Sequence, residues 1–271
     1  MLLMTAGINE LTKLSLRRPR PYWIKPDALI TTPSGGYGLP SGHAQQSISV
    51  YGLLAIILKK HWITLSSVFI IFMIGLSRVY LGEHFITDVL FGWLVGGVVL
   101  YAFVRLEPKV QRWFSQKSFT AKTLTVFGVT VAFSLLSILV VSIPAGYHVP
   151  QEWADNALIA FPGEKIAPLN PNNLITSMAT LFGFSVGYFW IETLGGFNTS
   201  SESWWKRALR FVIGLIGVVI FWMGLGAVFP DDPKLLGWGL RFLRYSLVGF
   251  WLTGLAPFLF LRFGLAQPKD Q

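Results

Sequence analysis

The sequence predicts an all-α, multi-pass membrane bundle, and three observations carry that reading. Hydrophobic residues make up 53% of the 271 residues and charged ones only 13%, more apolar surface than a water-soluble domain of this size can cover. Mean hydropathy is +0.56, so a bilayer is the solvent to assume. Apolar runs close to the ~20 residues needed to cross hydrocarbon recur along the chain, bounded by charge or by Pro and Gly. Strand alternation, low-complexity tracts and short repeats are not found.

The predicted helices run over 41–58, 62–77, 85–104, 123–143, 174–194, 209–229 and 236–260. The first two are short and carry Gln45, Gln46, Ser47, Ser49, Ser66 and Ser67. Their polar faces should therefore point into protein, as inner helices. Residues 105–122, with Pro108 and most of the charge between the third and fourth runs, form the one candidate boundary. It separates an N-terminal core (1–104) from a four-helix extension (123–271), with 105–122 as a basic cytoplasmic loop. Met1 to Glu10 lacks the basic region and cleavage site of a secretory signal and stays in the fold reading. As a helix, residues 1–12 supply about 18 Å, short of the roughly 30 Å hydrocarbon core. The reading therefore expects further membrane sequence upstream; its alternative is a half-depth helix held by protein contacts.

The chain has no cysteine, which removes disulfides, thiolate metal sites and thiol nucleophiles. The net charge of +9 lies mostly in short loops, a pattern of membrane orientation rather than of nucleic-acid binding. If the helices alternate, twelve Lys and Arg residues share one side: Lys59, Lys60, Arg105, Lys109, Arg112, Lys117, Lys122, Lys206, Arg207, Arg210, Arg262 and Lys269. Loops 144–173 and 230–235 on the other side offer only Lys165 and Lys234. The first side is thus cytoplasmic. Lys13, Arg17, Arg18, Arg20, Lys25 and Arg78 then lie toward the outer face, where so many cations need a local reason.

Three segments supply one. Lys13 to Pro21 holds Arg20; Pro40-Ser41-Gly42-His43 opens a helix; Ser77-Arg78 precedes Glu83, His84 and Asp88. With alternating helices, all three reach one membrane face. Lys13, Arg20 and Arg78 form a cationic cradle there, the Arg fork matching two phosphate oxygens. Backbone N–H groups near Ser41 and Gly42 point at an anion, helped by the helix dipole. His84 and Asp88 are four residues apart on one helical face, so the carboxylate can accept from one ring nitrogen and leave the other as nucleophile.

These segments resemble the type-2 phosphatidic acid phosphatase superfamily, whose pattern is Lys-x6-Arg-Pro, Pro-Ser-Gly-His and Ser-Arg-x5-His-x3-Asp. All three parts match in order: Lys13, Arg20 and Pro21; Pro40 to His43; Ser77, Arg78, His84 and Asp88. The resemblance covers residues 10–104. It implies that Lys13, Arg20, Ser41, Gly42 and Arg78 hold phosphate, His43 protonates the leaving oxygen, His84 attacks phosphorus and Asp88 orients it. It also implies metal-independent hydrolysis with no cofactor. The expected partners are membrane lipids and a phosphorylated lipid or polyprenyl (di)phosphate substrate, not nucleic acid. The expected setting is a bacterial plasma membrane, with the site on its non-cytoplasmic side. Arg20-Pro21-Tyr22-Trp23 and the extra helices are similar to the glucose-6-phosphatase branch, which makes a soluble sugar phosphate the alternative substrate. A non-catalytic phospholipid binder or transporter is the alternative from another class, although binding alone needs no nucleophile with its orienting acid. The soluble haloperoxidase branch does not fit these spans.

Other residues read more plainly. His61 and His148 are solvated loop residues, with His148 folding over the site as the lesser reading. Arg17, Arg18 and Lys25 are interfacial or lipid-headgroup contacts; Glu83 faces solvent, with tuning of His84 as the lesser reading; Arg241 and Arg244 snorkel, with reach to the substrate phosphate as the lesser reading. Trp62, Trp153, Trp204, Trp205 and Trp238 belong to an interfacial belt. The 144–173 loop carries five prolines, and at that length it is expected to shape substrate entry.

Overall fold

The computed structural model describes residues 1–30, 34–142, 147–163, 165–198, 203–230 and 234–269. Within them the chain is helical, with one isolated antiparallel bridge between Asn198 and Gln267. The elements are α1 (Leu2–Leu16), α2 (Pro21–Ile24), α3 (Gly42–Ser47), α4 (Leu53–Leu58), α5 (His61–Tyr80), α6 (Ile86–Ser115), α7 (Phe119–Ser142), α8 (Gln151–Ala160), α9 (Asn172–Thr193), α10 (Trp204–Val219), α11 (Leu225–Val228), α12 (Lys234–Phe250) and α13 (Ala256–Arg262). Short π-helical turns join α3 to α4, α10 to α11 and α12 to α13.

Among the described residues, six helices are long and apolar enough to cross a membrane: His61–Tyr80, Ile86–Ser115, Phe119–Ser142, Asn172–Thr193, Trp204–Val228 and Lys234–Arg262. The remaining predicted run, 41–58, forms α3, a π turn and α4, in pieces of 6, 5 and 6 residues. The chain is thus an integral, multi-pass helical membrane protein. One expectation fails along 105–122, which is not a loop. Helix α6 continues to Ser115 and α7 begins at Phe119. Glu107, Lys109, Gln111 and Arg112 are good helix formers and prolong α6 past the apolar run. Its 30 residues span about 45 Å, and Pro108 is accommodated inside it. Nor is α5 an inner helix: Leu65, Phe69, Phe72 and Leu76 expose an apolar stripe, and of Ser66 and Ser67 the first is exposed and only the second is buried.

The chain divides into two compact units, residues 1–111 with 136–173, and residues 112–135 with 174–271. The first therefore recruits the 144–173 loop, which the division at 105–122 had assigned to the extension. The reason is apolar: α8 packs on α2, burying Tyr22, Trp23, Tyr37 and Ala157, with Trp153 and Tyr147 against them. Trp153 sits 6.0 Å from the Trp23 ring and so belongs to this cluster. Asn156 Nδ2 donates to the Trp23 carbonyl at 3.1 Å. Arg17 also turns inward, stacking 4.5 Å from the Tyr147 ring and donating to the Val140 carbonyl at 2.7 Å. Residues 144–146, with Pro144, and residue 164 lie outside the described part of that loop.

Helices α1 and α3 meet through a buried polar row. Asn9 Nδ2 donates to Gln45 Oε1 at 2.7 Å, Gln45 Nε2 donates to the Thr5 carbonyl at 3.1 Å, and the Thr5 and Ser49 hydroxyls are 3.1 Å apart. In apolar surroundings such groups hold only if mutually satisfied. On the other side of α3, Gly92 and Gly96 of α6 allow close approach, since a Cβ at Gly92 would stand 2.7 Å from the Ser41 carbonyl oxygen and one at Gly96 2.6 Å from that of Gln45.

In the second unit, Gly249 of α12 packs where a Cβ would meet the Thr180 carbonyl of α9 at 2.5 Å, and Phe127, Phe182 and Phe242 form an aromatic cluster. Arg241 and Arg244 are half-buried in this unit. Arg244 stacks 4.8 Å from the Tyr245 ring, and Arg241 Nη1 lies 3.5 Å from Thr176 Oγ1.

Candidate active site

The first unit holds a cavity of about 350 Å³ lined by Lys13, Arg20, Gly42, His43 and His84 of the predicted residues, and by Asn9, Glu10, Gln46 and Asn173 among others. Lys13 reaches it from the last turn of α1. Arg20 precedes Pro21, which starts α2 with its φ preset. Gly42 and His43 open α3, where a side chain at Gly42 would meet Asn9 Oδ1 at 3.1 Å. His84 lies in the turn between α5 and α6, tied down by its backbone N–H and that of Glu83, both donating to the Arg78 carbonyl at 3.2 and 3.1 Å.

Arg20 is 2% exposed. Its Nε donates to the Gly36 carbonyl at 2.6 Å, and its Nη1 to the Glu83 carbonyl at 3.0 Å and to the Glu83 carboxylate. Glu83 is therefore buried as the ion-pair partner of Arg20, not turned to solvent. A buried guanidinium without a carboxylate would be costly, and the chain supplies one beside His84.

Arg20 Nη1 is also 3.4 Å from His84 Nε2. Because a guanidinium only donates, Nε2 must accept, which puts the imidazole proton on Nδ1. Nδ1 lies 3.5 Å from Asp88 Oδ2, an ion-pair distance too long for a good hydrogen bond. Asp88 Oδ2 meanwhile accepts the Phe85 backbone N–H at 3.0 Å, reaching back over the first turn of α6 as an acid at the third helical position does. Burial pushes the His84 pKa down to about 4; the nearby Arg20 and Lys13 act in the same direction, against the effect of Asp88. The ring is thus neutral at pH 7, with its unprotonated nitrogen toward Arg20.

Three predicted residues do not line the cavity. Asp88 is fully buried behind His84. Ser41 is also buried, its Oγ accepting the Ala44 N–H at 3.5 Å as the cap of α3. Arg78 is half-buried, its Nε donating to Ser77 Oγ at 3.3 Å, and still close enough to act electrostatically on His43. His61 and His148 are exposed, and neither lines the cavity, as are Arg18 and Lys25. Glu10, missed in the sequence, lines the cavity and sits 3.6 Å from Lys13 Nζ at i, i+3 spacing on α1. Among the described residues, no group of three or more His, Asp and Glu residues is placed to hold a metal ion.

Comparison with known proteins follows the same lines. Residues 1–112 match the family model of the PAP2 superfamily, and residues 175–268 match that of the PAP2 superfamily phosphatase transmembrane extension. Phosphatidylglycerophosphatase B of Bacillus subtilis is 33% identical over 129 residues, which cover 43% of this chain and 61% of that protein. Undecaprenyl-diphosphatase of Sulfolobus acidocaldarius is 28% identical over 101 residues, 37% of this chain and 48% of the relative. Dolichyldiphosphatase 1 of Homo sapiens is 29% identical over 136 residues, 41% of this chain and 56% of the relative. The chain thus spans about half to three-fifths of the curated relatives it matches. No solved structure matches it. With one family model covering the segment that builds the cavity and a second covering the helices of the extension, the chain belongs to the PAP2 superfamily.

Proposed function

We propose that this chain is a membrane phosphatase that hydrolyses a lipid-linked phosphate monoester or diphosphate through a phosphohistidine on His84. The observation that carries the proposal is the neutral His84 ring, its Nε2 turned to Arg20 in the cavity and its Nδ1 toward Asp88. The names of the similar proteins support a lipid-linked phosphate. The twelve cations expected on the opposite side support an outward-facing site, and the lack of cysteine and the compact loops are compatible with a bacterial plasma membrane.

In this reaction His84 Nε2 attacks phosphorus in line as the bond to the leaving oxygen breaks. Lys13 and Arg20 stabilise charge on the equatorial oxygens, and Arg78 joins them by swinging toward His43. Protonated His43 gives its proton to the departing oxygen. The phosphorylated imidazole keeps its Nδ1 proton, and Asp88 stabilises the positive ring. Water then attacks phosphorus, His43 takes its proton, and the N–P bond breaks to return neutral His84 and phosphate. No step is assigned to a metal ion or cofactor.

The test is a rapid acid-free quench of purified protein with ³²P-labelled substrate in detergent. Wild type should retain base-stable, acid-labile label and His84→Ala none, with phosphate release lost. Substantial turnover by His84→Ala, or activity that EDTA abolishes and Mg²⁺ restores, contradicts this mechanism. Vanadate, which adopts five-coordinate geometry, should inhibit.

A further inference from the structure

The cavity is larger than a phosphate group, and its depth is graded. His84 and Arg20 are buried at one end, whereas His43 is exposed and Glu10 and Gln46 are half-buried. If His84 attacks from the buried end, in-line geometry sends the leaving oxygen toward the exposed end, beside His43. Gln46 follows His43 by one helical turn and shares its face of α3. Its side-chain amide makes no hydrogen bond within the described chain although it lines the cavity. Glu10 faces the same space from α1, and among the described lining residues it is the one carboxylate. Every described lining residue is polar, charged or glycine, so among the described residues no apolar side chain lines the cavity.

A carboxylate and a free amide near a departing oxygen suit a particular leaving group. Glu10 accepts from O–H or N–H groups, and Gln46 both donates and accepts. A second phosphate would instead meet the Glu10 charge, because Lys13, 3.6 Å from that carboxylate, serves the phosphate being transferred. A prenyl carbon would lie against polar groups that it cannot satisfy. We infer that Glu10 and Gln46 form a leaving-group subsite that selects a phosphomonoester whose alcohol carries a hydrogen-bond donor near the ester oxygen, in preference to a prenyl diphosphate. This inference rests on the phosphatase reading and narrows its substrate class.

Three substrates in the same detergent separate the cases: a lipid ending in glycerol phosphate with a free hydroxyl beside the ester, phosphatidate without one, and a polyprenyl diphosphate. Wild type should favour the first over the diphosphate by at least roughly 10-fold in kcat/KM, as expected of a site built to hydrogen-bond its substrate. Glu10→Gln should shrink that ratio by roughly 10-fold, chiefly by raising diphosphate turnover as the repulsion is removed. Gln46→Ala should lower kcat/KM for the hydroxyl-bearing ester more than for phosphatidate. Equal wild-type rates on all three substrates overturn the subsite while leaving the phosphatase intact. A uniform fall on every substrate in Glu10→Gln does the same, since it would make Glu10 only a support for Lys13. Absence of phosphate release from any substrate by wild type overturns the phosphatase reading and the subsite with it. Monodisperse elution and vanadate binding by each variant serve as the folding control.

Discussion

Asp88 holds two neighbours with one oxygen: Oδ2 accepts the Phe85 N–H at 3.0 Å and stands 3.5 Å from His84 Nδ1. Asp88→Asn keeps an acceptor for the cap but loses the charge that stabilises the phosphorylated ring. Turnover should fall by about 10²–10⁴, as when the acid of a triad is neutralised, with little change in thermal stability. Glu83 belongs to the same scale. Glu83→Ala leaves the Arg20 charge buried against carbonyls alone, and unfolding in detergent should come earlier by about 3 kcal/mol. Glu83→Gln should recover part of that loss, and equal stability of all three proteins would deny the pair its role. Titration gives a third check at this scale. Attack needs the neutral ring, and burial lowers the His84 pKa to about 4 from an ordinary 6.5, so the nucleophile stays available through pH 5 and is lost only as pH falls toward 4. In NMR spectra of labelled histidine, the signal missing from His84→Asn should titrate near 4; a midpoint near 6.5 would contradict the burial argument.

Among the elements, α3 is placed by two neighbours of opposite chemistry. Toward α1 it offers Gln45 to Asn9, and the π turn after it offers Ser49 to Thr5; toward α6 it meets Gly92 and Gly96. Gly92→Leu should push α3 from α6, move Gly42 and His43, and cost at least about 10² in turnover. Gly97→Leu should not, because nothing lies within 4 Å of a Cβ there. Similar losses in both variants would show that bulk in α6, not α3 placement, matters. Gln45→Leu strands the Asn9 amide and should cost about 1–3 kcal/mol. The sequence made the long helices legible because an apolar run near 20 residues has few other uses. The spacing of the three motifs also singled out Lys13, Arg20, Gly42, His43 and His84, which the fold brings to one cavity. The end of α6 was obscured because charge and Pro108 read as a loop, whereas good helix formers carried the helix through them. Short α2 and α8 left no periodic trace, and Glu83 could not be paired with Arg20 without knowing that residues 63 apart in sequence meet. Glu10 alone left a usable signal, its i, i+3 relation to Lys13.

For the molecule as a whole, the first unit is discontinuous in sequence, taking residues 136–173 after an excursion into the second. The Trp23–Trp153 contact fastens that returning segment to α2, directly after Arg20. Trp153→Ala should therefore destabilise the protein by about 2–3 kcal/mol, below the range for a fully buried Trp. It should also raise KM for lipid substrates, whereas a change in stability alone would confine α8 to a structural role. The same discontinuity sets an order in time. Asp88 is the last residue of the three motifs to leave the ribosome, yet Asn173, which lines the cavity, follows 85 positions later. At about 5–20 residues per second, that interval is roughly 4–17 s. During it the nascent chain already carries every residue of the proposed chemistry, but the cavity still lacks the wall that Asn173 completes and the clasp that α8 places on α2.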